Sequence, residues 1–270
     1  MKSRASFVVK CALVVCTGIA VATASEFSPV TAPVDGCPGQ FFVKKARVFD
    51  AVTLCATKGV NKSKLQHAAN VTAQWLDNDE DGNVDEPRLL AHLRRNHATL
   101  AMSEEGFSDA AIEQLTPYFA TMMLQDLADN ETNPVHDRDA SQEEIHHLIA
   151  NAGWQPMLPS VFSDNGKVNS QLRQQWQLAE DKGYYHYDDP TCDSACKTIE
   201  FLYLGTAAYL ASTADLTSDE MRLKSRQELQ HSLPELVNIF ESPQYHYPTV
   251  KWPDGRYPVL SSIRYTGQGF

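Results

Sequence analysis

Ser141-Gln-Glu-Glu-Ile-His-His-Leu-Ile149 places Glu143 and His147 four positions apart, with Glu144 between them. On a helix, positions i and i+4 point the same way, so these two side chains suit a single ion. At about 100° per residue, Ile145, Leu148, Ile149 and Ala152 gather on the other side, which separates a packing face from a metal face. A helix over 141–152 is expected, opened by a capping box of Ser141 and Glu144 and closed by Gly153. A plain amphipathic surface helix, with acids near its N-terminus for dipole reasons, accounts for the same letters.

The balance shifts with a second helix, Lys197-Thr-Ile-Glu-Phe-Leu-Tyr-Leu-Gly-Thr-Ala-Ala-Tyr-Leu-Ala211, in which Glu200 is the sole acid of an apolar run. A buried, unpaired carboxylate is costly, so Glu200 needs a cation or a strong hydrogen-bond partner. An ion held by Glu143 and His147 would supply it.

Together these two motifs resemble the zincin metallopeptidases of the gluzincin type. There a His-Glu-x-x-His helix gives two ligands and a base, and a glutamate on a later helix gives the third ligand. The resemblance implies Glu143, His147 and Glu200 as ligands of zinc or another transition metal, and Glu144 as the general base acting on water. It also implies an oxyanion partner, Tyr209 or a member of Tyr184-Tyr-His-Tyr187. Glu143 stands where the family has its first histidine. A second carboxylate makes the ion a weaker Lewis acid and favours slow or absent hydrolysis, and iron or manganese tolerates such ligation. His146, His186 and His246 are lesser candidates. A di-iron bundle would require a second Glu-x-x-His, which the chain lacks.

A second cation motif lies upstream. Asp77-Asn-Asp-Glu-Asp-Gly-Asn-Val-Asp-Glu86 alternates carboxylates around Gly82, so Asp77, Asp79, Asp81, Asp85 and the Asn83 carbonyl converge as a hard cation requires. The segment resembles an EF-hand calcium loop, except that Arg88 occupies position 12, where the bidentate glutamate belongs. Glu86 is the expected substitute. A solvated acidic turn is the plainer account.

Lys2 and Arg4, an apolar run over 7–21 and Ala22-Thr-Ala24 read as an export signal cleaved after Ala24. Its loss leaves 20 basic against 34 acidic residues, a balance that repels nucleic acid and attracts cations. No later segment is long and apolar enough to span a membrane. Secretion favours disulfides among the four remaining cysteines, and proximity suggests Cys37–Cys55 and Cys192–Cys196. Asn61, Asn70 and Asn130 head glycosylation sequons.

The periodicity predicts helices over 48–55, 62–76, 87–96, 109–127, 141–152, 170–182, 197–212 and 219–239, with strands limited to 40–43 and short pieces near Val161 and Val259. Ser108 is placed to cap the helix that follows it. The expected fold is mainly α, a zincin-like helical domain with an EF-hand-like loop, and an α+β fold with a small sheet is the alternative. The expected order is a signal peptide (1–24), a leader (25–60), a helix–loop–helix around the calcium loop (61–100), and a zincin-like domain with an aromatic C-terminal segment (101–270).

The functional expectation is a secreted, extracellular calcium-binding glycoprotein with a zincin-like site. It would be a metal-dependent peptidase acting on peptides or proteins, or a weakened relative. The competing expectation is a non-enzymatic acidic calcium-binding protein of an extracellular or mineralised matrix.

Overall fold

The computed structural model describes residues 29–270, so the export signal and its cleavage point lie outside the described residues. The mainly α expectation is overturned by a five-stranded mixed sheet in the order β4-β3-β2-β1-β5, which makes the fold α+β. The strands are β1 (Lys44–Val48), β2 (Val52–Ala56), β3 (Thr99–Ser103), β4 (Leu124–Ala128) and β5 (Ile263–Gly267). β1 runs antiparallel to β2 and β5, while β2, β3 and β4 are parallel. This sheet draws strands from the leader, from the very end of the chain, and from both sides of residue 100.

Among the described residues ten α-helical segments accompany it. They are α1 (Lys62–Leu76), α2 (Pro87–Arg95), α3 (Asp109–Leu115), α4 (Ala140–Ile149), α5 (Gln155–Met157), α6 (Pro159–Phe162), α7 (Gln171–Asp181), α8 (Ser194–Tyr209), α9 (Arg226–Ser232) and α10 (Pro234–Phe240). α1 and α4 pack on the sheet and on each other, and α8 lies against α4.

The departures from expectation have local causes. Residues 48–55 form a hairpin instead of a helix, because Phe49 and Asp50 adopt the left-handed region and turn β1 into β2. β2 and β3 are buried along their whole length, so they lack the alternation that marks a half-exposed strand. The helix expected over 109–127 ends at Leu115, where Pro117 leads into a 3-10 turn, and the chain re-emerges as β4. Pro234 likewise divides α9 from α10. The segment 40–43 leads into β1, Val161 lies in α6, and the final strand starts after Val259.

α4 is also not an amphipathic surface helix. Ser141, Gln142, Glu143, Ile145, His146, His147, Leu148 and Ile149 are all buried, so it is a core element carrying polar groups. Its cap is Asp139, whose carboxylate accepts from Ser141 N (3.1 Å) and Ser141 Oγ (2.6 Å). Glu144 faces elsewhere, so the expected capping box does not form. Gly153 does not close the helix; the chain continues through a π turn at Ala150–Trp154. Gly153 lies so close to Leu89 that a Cβ there would sit 2.7 Å from Leu89 Cδ1. π turns inside helices recur beside functional sites, and this one begins three residues after His147. Ser108 accepts from Ala111 N and caps α3.

Disulfides join Cys37 to Cys55 and Cys192 to Cys196, the expected pairs. They are compatible with an extracellular protein. Among the described residues no helix is long and apolar enough to cross a membrane.

Candidate metal centre

α4 is locked from both sides before any ligand is considered. Trp75 Nε1 of α1 donates to the Gln142 carbonyl (3.0 Å), and Gln142 Nε2 donates to the Pro253 carbonyl (2.6 Å). Asp139 accepts from Asn133 N (2.8 Å) and meets His67 Nε2 at 2.6 Å. α8 is fixed by Asp193, which accepts from Ala195 N and Cys196 N, and by the Cys192–Cys196 bridge one turn before Glu200.

These two helices bring Glu143, His147 and Glu200 together, each offering one ligand atom within 4.8 Å of the others. All three are buried. His147 Nε2 lies 3.6 Å from Glu200 Oε2, and it has no hydrogen-bond partner. An orphaned, buried ring nitrogen facing two carboxylates is what a borderline divalent cation would satisfy, and the group could hold a metal ion.

The electrostatics divide the two carboxylates. Burial pushes Glu143 up, but the Arg138 guanidinium and His147 outweigh it and hold its carboxyl below the usual range. Burial, followed by the charges of Glu143 and Glu144, pushes Glu200 well above it. The metal-free pair therefore shares a proton, with Glu143 ionised against Arg138 and Glu200 protonated. Burial lowers His147 to about 4, which leaves its imidazole neutral and able to ligate.

Glu144 is half-buried at the rim, and Gln125 Nε2 of β4 donates to its Oε2 at 2.6 Å. Tyr187 is buried, and its hydroxyl is kept protonated by burial and then by the charges of Glu200 and Glu143. Tyr209 is turned away, donating to Glu241 at 2.7 Å. His146 belongs to an aromatic cluster: its Nε2 pairs with Tyr247 OH (2.8 Å), and its ring packs on Trp75 and Tyr203. His186 is exposed and pairs with Asp188. His246 instead lines a cavity of about 410 Å³ with Asp79, Asp85, Phe240, Tyr245 and Tyr247.

The upstream loop gathers fewer groups than its sequence offers. Asp77, Asp79 and Asp85 place ligand atoms within 4.8 Å of one another. Gly82, at φ +94, makes the turn, and Asp77 accepts from Gly82 N (2.8 Å) and Asp81 N (3.1 Å). Asp81 Oδ1 is engaged with Asn83 N and Nδ2. Glu86 is turned away: its two oxygens accept from Arg88 Nε (2.7 Å) and Nη2 (2.6 Å), so the residue at position 12 removes the expected substitute. Tyr257 also donates to Asp77. Burial, followed by the charges of Asp79, Asp77 and Asp81, raises Asp85 to about 6 despite a hydrogen bond from Asn78 N.

The three sequons differ in access: Asn61 and Asn130 are exposed and Asn70 is half-buried, while Asn61 Nδ2 donates to Asp129 and Asn70 Nδ2 donates to the Gly255 carbonyl.

Sequence reasoning missed Arg138, Asp215 and Gln125. Arg138 Nη1 pairs with Glu143 Oε2 and lies 3.3 Å from Asp215 Oδ1. Nothing periodic marks these residues, and only a lone arginine five positions before a metal-type glutamate could have hinted at one of them.

No family model matches the chain, and no curated protein or solved structure matches it.

Proposed function

We propose that the protein is a secreted metal-dependent hydrolase with a zincin-like metal site, in which Glu143, His147 and Glu200 hold a divalent transition ion. The observation that carries this reading is the convergence of three donors from α4 and α8 around the unpartnered His147 Nε2. An ion bound there would supply Lewis acidity toward a carbonyl and toward water. Glu144, held by Gln125, takes a proton from the attacking water. Tyr187, kept protonated, donates a hydrogen bond to the oxygen that becomes negative. β4 ends the sheet, and an extended peptide pairing with that edge beside Glu144 is the substrate pose the reading implies.

The Asp77 loop is assigned a structural calcium, held by Asp77, Asp79 and Asp85 without Glu86. It would pin α1 against α2. With three carboxylates and no terminal bidentate glutamate, affinity falls in the range of extracellular calcium modules.

One observation favours a second reading, the non-enzymatic calcium-binding protein: Glu143 already has a cation in Arg138. Mass-spectrometric metal analysis, on protein purified without chelator or added metal, separates the two. Near-stoichiometric transition metal that is lost in a His147→Ala/Glu200→Ala variant, with calcium kept, supports the hydrolase and calls for a peptide-library screen. Calcium alone in both proteins overturns it.

A further inference from the structure

We propose that Arg138 is the charge-compensating residue of the metal centre: its guanidinium cancels the carboxylate that Glu143 adds in place of an imidazole, and so sets the site's affinity and its choice of ion. The inference rests on the reading that Glu143, His147 and Glu200 bind a transition ion.

Glu143 and Glu200 bring two negative charges to a site whose third donor, His147, is neutral. An oxygen-rich, doubly negative donor set favours hard cations and weakens the ion as a Lewis acid. Arg138 alters that sum. Summed over the three donors and Arg138, the charge is one net negative, the same as a donor set of two imidazoles and one carboxylate. Guanidinium suits this place because it stays charged when partly buried and contacts a carboxylate through directed N–H groups.

Its position is built. Arg138 directly precedes Asp139, the α4 cap, which is fixed by Ser141, Asn133 and His67. The same Nη1 lies 3.3 Å from Asp215 Oδ1, and Asp215 is buried and held by donors from Tyr203 OH (2.5 Å) and Ser212 Oγ (2.6 Å). Those hydroxyls fix Asp215 as a second anchor for the guanidinium, and Glu143 is the nearer of the two carboxylates. The contact uses Glu143 Oε2, so the carboxylate retains a second oxygen for an ion.

The test is zinc affinity, measured with zinc chloride by competition against a chromophoric chelator at fixed pH and salt. The proteins compared are wild type, Arg138→Gln, Arg138→Lys, Glu143→His and the double variant Arg138→Gln/Glu143→His, with far-UV circular dichroism confirming the fold of each. Arg138→Gln is expected to bind zinc about tenfold tighter or more, since a like charge beside the ion is removed. Glu143→His should bind more weakly, Arg138→Lys close to wild type, and the double variant close to wild type again. Weaker binding by Arg138→Gln, or a double variant that does not recover, overturns the proposal and assigns Arg138 a merely structural part. Should Arg138→Gln not fold, Glu143→His decides the matter: with Arg138 in place it leaves a centre of zero net charge and must bind zinc more weakly than wild type, and equal or tighter binding overturns the proposal. A folded wild type that binds no zinc, iron or manganese overturns the metal reading and this inference together, and does so before any variant is compared.

Discussion

Glu143, His147 and Glu200 are held by packing on every side, whereas Asp77, Asp79 and Asp85 are held by their own loop's backbone donors at the edge of solvent. The first group pays for its geometry in desolvation, which splits its carboxylates into one ionised and one protonated and leaves a histidine nitrogen without a partner. The second is only partly buried and gathers three carboxylates without a cation, so burial followed by like charges raises Asp85 to about 6. A cation relieves both, but in the core it replaces missing hydrogen bonds and in the loop it replaces missing counter-charge.

The largest effect should come from loosening the buried group's scaffold. Trp75→Ala removes a ring packed on His146 and Trp252 together with the bond to Gln142, at a cost of about 3–5 kcal/mol in urea denaturation. A loss under about 1 kcal/mol would show that α4 is not held by packing.

Glu200→Gln separates ligation from stability. Because burial raises the Glu200 carboxyl well above its usual range, the amide is a close substitute, and in chelator the variant should melt no lower than wild type and higher at neutral pH. Zinc affinity should fall about 100-fold or more, since a neutral oxygen replaces a charged ligand, as competition titration would report. Unchanged affinity would remove Glu200 from the site.

Asp139→Ala removes the α4 cap and its contact with His67, at about 1–2 kcal/mol. Burial pushes the Asp139 carboxyl up, but His67 and the hydrogen bonds outweigh it and hold the pKa below normal. A depressed carboxylate contributes stability that is present above its unfolded pKa and is lost as pH falls through the folded one. Wild type should therefore lose this increment below about pH 4, while the variant's acid limb is flatter.

The loop predicts the opposite slope and the smallest shift. Asp85 is raised, so its contribution is present below the unfolded pKa and is lost as pH rises through about 6. Protein kept in chelator should melt about 2–4 °C lower at pH 7.5 than at pH 5. Millimolar calcium should narrow the difference, and Asp85→Asn should narrow it without calcium, the remainder belonging to Glu200, whose carboxyl is raised in the same direction. A difference that Asp85→Asn leaves unchanged would assign it to another group.

Particular elements explain what could be read in advance. α1, α2 and α7 follow a 3.6-residue rhythm, and their expected bounds fall within a residue or two of those observed. β2 and β3 carry no such signal, because covering both faces of a parallel strand removes the alternation that identifies strands. β4 was hidden behind Pro117, whose breaking effect competes with an otherwise helical pattern. In the site, the i and i+4 spacing of Glu143 and His147 and the lone acid Glu200 were visible. Arg138 and Gln125 reach the site from a loop and a strand, where spacing carries no directional information.

By itself the sequence determined the rhythm of the long helices, the acidic balance and the residue types able to hold a cation, because these follow from local geometry and composition. Only the tertiary structure decided that the helices flank a mixed sheet, that α4 is buried, that Glu86 belongs to Arg88, and that Arg138 stands beside Glu143. Those outcomes depend on contacts between segments far apart in the chain. There, desolvation and pairing energies exceed the local preferences that a sequence displays.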